Sequence, residues 1–241
     1  MERFVPFTGP HLAALAVTLI VAVGLSGWAR RAPARRLVIR RGLALAVLAF
    51  GLGYVVVDGL AGRPWRAIAP LHLCDAAVFV AAYALWWRDQ RAFELTFFWG
   101  LVGTSLAMLT PDLAESFPHF RFVFYFGQHG SLVVAALFLT FGVGMRPRRR
   151  GWLFAFLALN AYAAAVGIFD VITDANFLYL RHPPGAATAL DRFGAWPRYI
   201  LVSEGIAFGA FFLLGLVSRP VGSAGDPPPS RSDADHPDPR R

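Results

Sequence analysis

The stretch Leu12–Trp28, LAALAVTLIVAVGLSGW, has no ionisable side chain, and the eight residues after it, ARRAPARR (29–36), hold four arginines. As a helix those seventeen residues extend about 26 Å, close to the ~30 Å hydrocarbon core of a bilayer. An arginine block at the end of such a run is a topology signal. A cleaved signal peptide needs its positive charge before the apolar run. Here Glu2 offsets Arg3, and the arginines come afterwards, so the run reads as a membrane span.

Working outward, six more runs repeat the pattern, at 37–57, 70–87, 93–109, 122–143, 152–172 and 198–217. In lipid every backbone amide must be paired within the chain, so these runs are expected to be helices. The sequence of 241 residues is 56% hydrophobic and only 16% charged, against the ~25% charge usual in soluble domains. The expected fold is all-α: a polytopic bundle of seven transmembrane helices over residues 1–218. A Pro-, Asp- and Ser-rich tail over 219–241 reads as disordered. Six tryptophans (Trp28, Trp86, Trp87, Trp152, Trp65 and Trp196) fall at span ends, as interfacial indoles do, and Trp99 falls inside.

The net charge of +8 comes from arginine alone, because the chain contains no lysine. With the N-terminus outside, sixteen of the 23 arginines lie in inner segments and seven in outer ones. That satisfies the positive-inside rule with an odd number of spans and a cytoplasmic C-terminus. Arginines in short blocks between spans do not make a nucleic-acid-binding face. Lysine-dependent Schiff-base chemistry, as in retinal proteins, is excluded. Cys74 alone forms no intrachain disulfide or cysteine-rich metal site. Phosphate-loop, zinc-protease and nucleophile-elbow motifs are missing, so no cofactor or metal is expected. The inner halves of the spans read as almost purely Ala, Leu, Val and Phe. Gly100, Gly103, Thr104 and Ala107 form a small-residue stripe suited to close helix contact.

On this topology the polar residues gather at one level. His72, Cys74 and Asp75 open the third span, and His129 lies about 10 Å into the fifth. Asp170 ends the sixth span, Asp174 and Asn176 follow it, and Glu204 lies two turns into the seventh. Asp112, Tyr179, Arg181, His182 and Arg198 occupy the outer loops. Ionisable groups at membrane depth are costly and mark pathways or sites. Together they predict a polar cleft near the outer surface. Asp75, Asp170 and Glu204 also have a structural reading, as partners of Arg66, Arg181 or Arg198. His11, His119 and His236 are assigned no role.

Several short motifs sit in order along the chain. They are Pro70-Leu71-His72-Leu73-Cys74, Phe98-Trp99-Gly100, Thr110-Pro111-Asp112, Phe126-Gly127-Gln128-His129-Gly130, Asn176-Phe177-Leu178-Tyr179-Leu180 and Gly194-Ala195-Trp196-Pro197. Over about residues 5–218 the sequence resembles the YwaF family of bacterial integral membrane proteins. That pattern extends to a eukaryotic TMEM-type acyltransferase acting on ether phospholipids. The resemblance implies a seven-helix protein of the bacterial cytoplasmic membrane, with Cys74 and His129 as the active pair. It implies membrane lipids as partners, with phospholipid and lysophospholipid as substrates. Phe177 and Leu178 stand where the family has Tyr-Met, and His182 where it has lysine before proline. These departures alter the charge and hydrogen bonding of the cleft.

The chemistry of such a pair is nucleophilic. His129 takes the thiol proton, the thiolate attacks an acyl ester, and a thioester forms. Asp75, Asp170 or Asp174 would orient His129, and Arg181 or Arg198 would hold the lipid phosphate. Competing readings are a ligand-binding sensor, a small transporter, and haem or quinone binding through His72 and His129.

Overall fold

The computed structural model describes residues 3–184 and 189–218. Regular structure among them is helical, with one isolated bridge between Arg3 and Glu115. The apolar runs form α1 (Gly9–Arg31), α2 (Arg36–Leu60), α3 (Leu73–Trp87), α4 (Gln90–Leu109), α5 (Phe120–Val143), α6 (Gly151–Thr173) and α7 (Arg198–Val217). Six are long and apolar enough to cross a membrane, whereas α3 has 15 residues. The expected tail at 219–241 lies outside the described residues.

Helix α3 starts later than the apolar run around it. Pro70 keeps Ala69 extended (φ −60°, ψ 132°), since its ring clashes with a helical predecessor. His72 is extended too, and its N–H donates to the Asp75 carboxylate at 3.0 Å, fixing the first turn.

Helix α5 is the axis. Of its most apolar stretch 72% is buried, against 11% for α6 and for α7. Helices α1 to α4 pack round it, and the α6–α7 pair leans on α4. Outward faces are oily: Ile20, Val23, Val171 and Ile172 are exposed, as a lipid-facing surface requires.

Small residues set the closest approaches. A Cβ at Gly100 would come within 3.3 Å of the Leu132 carbonyl oxygen, and one at Gly130 within 2.6 Å of Thr18 Oγ1. These positions let α4 and α1 reach α5. Of the expected stripe, Gly100 makes such an approach. Gly103 makes ordinary contact, 3.6 Å from Leu73 Cδ2.

Two π-helical turns interrupt the core helices, Trp99–Thr104 in α4 and Phe138–Val143 in α5. Trp99, the tryptophan inside a span, donates its indole N–H to the Ala155 carbonyl at 3.1 Å and ties α4 to α6. The widened turn brings Thr104 Oγ1 to the carbonyl of Trp99, five residues back, at 3.5 Å.

The arginine-rich end is not purely apolar, which corrects the sequence expectation. Glu94 on α4 is fully buried. It accepts from the Arg148 backbone N–H (2.8 Å), Arg148 Nε (2.9 Å) and Nη2 (2.6 Å), and Gln90 Nε2 (3.1 Å). Gly151 makes room: a Cβ there would lie 2.8 Å from the Glu94 carboxyl carbon. At the other end Asp58, also buried, accepts from Arg121 Nη2 at 2.9 Å, and Arg121 Nη1 reaches Glu115 at 3.2 Å. His11 is structural. Its ring accepts from the Phe7 N–H at 2.9 Å and bonds the Met108 carbonyl at 2.8 Å.

Candidate functional site

At the end of the bundle opposite Glu94, the first turn of α3 faces the N-terminal half of α5. Cys74, half-buried, is the second residue of α3, and its thiol meets the Thr104 hydroxyl on the π-helical turn of α4. The amides of Leu73 and Cys74 open the helix, so no preceding turn supplies their acceptors. The Cys74 amide bonds its own thiol, and both amides lie at the positive end of the helix dipole.

His129 lies across from this turn, 7% exposed. Its Nδ1 is 2.7 Å from the Tyr125 carbonyl, one helical turn back. A carbonyl only accepts, so Nδ1 carries a proton. The imidazole stacks on the Tyr125 ring, centroids 4.2 Å apart, and the Tyr125 hydroxyl donates to the Ala107 carbonyl at 2.9 Å. Tyr125 is also an electrostatic neighbour of Cys74. No hydrogen bond joins thiol and imidazole directly among the described residues.

Asp75 does not face an arginine. One carboxylate oxygen accepts from the His72 N–H and the other from Gln128 Nε2 at 2.8 Å, linking α3 to α5. His72 Nδ1 accepts from the Leu178 N–H at 3.3 Å, and its ring packs against Phe177 and Tyr179. Asp75, Asp112 and Asp170 all act electrostatically on His72. Tyr179 donates to Asp112 at 2.7 Å. Burial, reinforced by that bond, keeps the Tyr179 phenol well above its ordinary pKa, so it remains a donor. Asp170, at the end of α6, is fully buried, and among the described residues neither carboxylate oxygen has a hydrogen-bond partner.

Other expected residues are elsewhere. Arg181 Nη1 is taken by Asp174 Oδ1 at 2.7 Å and the Ala175 carbonyl at 3.1 Å. Arg181 holds the exposed Asp174 carboxyl below the usual carboxylate range. Asn176 organises the same loop, its Oδ1 accepting from the Arg181 and His182 amides at 2.9 and 3.2 Å. Glu204 accepts from Asn160 Nδ2 at 3.2 Å, between α6 and α7. Arg198 opens α7 beside Gly194. The pairing of Asp75, Asp170 and Glu204 with Arg66, Arg181 or Arg198 is thus replaced by contacts to Gln128, to no partner, and to Asn160. Orientation of His129 by a carboxylate is corrected too, since the Tyr125 carbonyl has that part. Tyr125, Gln128 and Thr104 were not among the expected residues. Tyr125 had a signal, standing four residues before His129 on the same helix face.

A shallow notch between α2 and α3, lined by Gly51, Leu52, Pro70, Asp75, Val78 and Phe79, approaches this cluster from the side. Apolar helices in number, oily outer faces and a polar cluster under one end define a multi-pass membrane protein with a membrane-embedded polar site. Residues 6–215 match the TMEM164 family, and the chain belongs to it. It is also similar to an uncharacterized protein of Treponema pallidum (strain Nichols), 28% identical over 184 residues, covering 75% of this chain and 76% of that one. No solved structure matches.

Proposed function

We propose that the protein transfers acyl groups between membrane phospholipids, with Cys74 as nucleophile and His129 as the base. The observation that carries this reading is the Gln128–Asp75 hydrogen bond, which sets the turn of α3 that holds Cys74 against the turn of α5 that holds His129. The thiol proton moves to Nε2, and the sulfur attacks the ester carbonyl carbon. The C–O bond to glycerol breaks, the proton passes to the departing lysophospholipid oxygen, and a thioester remains on Cys74. A second lysophospholipid hydroxyl attacks the thioester, gives its proton to His129, and the thiol is restored. Charge on the tetrahedral oxygen would be met by the Leu73 and Cys74 amides. The hydrogen bond from thiol to imidazole forms on substrate binding, as catalytic contacts often do.

The topology belonging to this reading has seven crossings, with α3 as the short one, an extracytoplasmic N-terminus and a cytoplasmic C-terminus. Arginine asymmetry supports it, and the site then lies under the outer leaflet of a bacterial cytoplasmic membrane. The sequence motifs of the YwaF type support the lipid substrate. The test is mass spectrometry of Cys74 after incubation with an acyl-labelled phospholipid, in wild type, Cys74→Ser and His129→Ala. The expected result is a thioester in wild type, none in Cys74→Ser, and formation on the order of a hundredfold slower in His129→Ala. Equal acylation of wild type and His129→Ala sinks the histidine base. An unmodified wild-type thiol sinks covalent catalysis.

A further inference from the structure

The arginine-rich end holds a cavity of about 300 Å³. It is lined by Pro33 and Ala34 of the α1–α2 turn, Arg36, Leu37 and Arg40 of α2, Arg88 after α3, and Val143 at the end of α5. Three arginines thus line one space from two helix ends. None of the three is in an ion pair with a carboxylate among the described residues. Asp89, adjacent in sequence to Arg88, is engaged instead at 2.8 Å with the Ala92 N–H.

The arginines are anchored without being neutralised. Arg36 Nε donates to the Ala29 carbonyl at 2.9 Å, and Arg40 Nη2 to the Trp86 carbonyl at 3.3 Å. Arg40 Nε is sealed from solvent with no acceptor. Arg41, stacked on Trp86 at 4.9 Å, adds a fourth positive charge beside Arg40. Held together, like charges repel, and the repulsion is relieved by an anion that spans them. Guanidinium groups suit tetrahedral oxyanions, each offering parallel N–H donors to a pair of oxygens. The cavity is at the lower limit of ordinary small-ligand sites, about 300 Å³. Flanking Trp28, Trp86 and Trp87 put it at interfacial height.

We propose that Arg36, Arg40 and Arg88 form a binding site for a phosphate group, carried by an anionic lipid headgroup or free in solution. The site lies at the opposite end of the bundle from Cys74 and is independent of acyl transfer. It differs from a general attraction of arginine to anionic membranes because it depends on these three residues and not on exposed Arg149 nearby.

The test is native mass spectrometry of the full chain in detergent with phosphatidylglycerol or phosphatidylcholine, and with inorganic phosphate as competitor. Wild type should retain one phosphatidylglycerol. Arg40→Gln and Arg88→Gln should each weaken retention on the order of tenfold, and Arg149→Gln should leave it unchanged. Arg88 is exposed at a helix end, so its variant tests the site even if Arg40→Gln fails to fold. Displacement by inorganic phosphate supports a site for the phosphate group alone, whereas resistance to it supports recognition of the whole headgroup. Equal retention of phosphatidylcholine, or equal weakening by Arg149→Gln, overturns the proposal.

Discussion

Two carboxylates of this bundle, Glu94 towards one end and Asp170 towards the other, are both fully buried. Glu94 is met by Gln90 and by backbone and guanidinium donors of Arg148, so that every charge is answered. Asp170 has neither donor nor ion pair among the described residues, and it shares the surroundings of His72 with Asp75 and Asp112. The cost of removing a carboxylate from water is similar in the two places. Packing offsets it at Glu94 and leaves it standing at Asp170. The first arrangement holds helices α4 and α6 together through the intervening turn. The second leaves a polar group unanswered at the end of the bundle that holds Cys74 and His129.

The sharpest way to break this contrast is Glu94→Ala. It leaves Arg148 and Gln90 without their acceptor and should lower stability by about 2–4 kcal/mol, somewhat less than an enclosed pair because Arg148 is half exposed. A thermal midpoint in detergent equal to wild type would remove Glu94 from its structural role. Tyr179→Phe comes next. It deletes one donor to Asp112 and should cost about 1 kcal/mol, with Arg149→Gln as the unaffected surface control. Asp170→Asn removes no hydrogen bond, so its melting point should match or exceed wild type. A melting point several degrees lower would mean that Asp170 has a stabilising partner after all.

The smallest effect belongs to Arg181. Because it lowers the Asp174 carboxyl below the ordinary aspartate value, their contact stabilises the fold above that value. The contribution fades as pH falls through the lowered one. Arg181→Ala should therefore melt slightly below wild type near neutral pH and indistinguishably once Asp174 is protonated. A difference that grows on acidification would contradict the assignment.

Much of the scaffold was legible because it is written in long apolar runs: the 12–28 run falls within α1 and the 198–217 run coincides with α7. The level of the polar cluster was legible too, since depth follows from residue count along a span. Partners were not. Whether Asp170 faces Arg181 or a carboxylate neighbour depends on the rotation of α6 about its own axis, which an almost uniformly apolar helix leaves unmarked in sequence. Glu94 escaped because it stands one residue inside the expected start of its span, where an acid reads as interfacial. Its burial comes from Arg148, 54 residues away, folding over it. Thr104 looked like part of a small-residue stripe. The π-helical turn brings it to Cys74 instead.

The 15 residues of α3 have one more consequence. They rise only about 22 Å, so on the proposed seven-crossing topology α3 falls some 8 Å short of the hydrocarbon. Trp86, Trp87 and Arg88 would then tether one end among headgroups and leave the shortfall at the other. A bilayer meets such a gap by dimpling inward. Cys74 would then wait at the floor of a local depression, where ester carbonyls and water descend to a depth that neighbouring lipids keep dry.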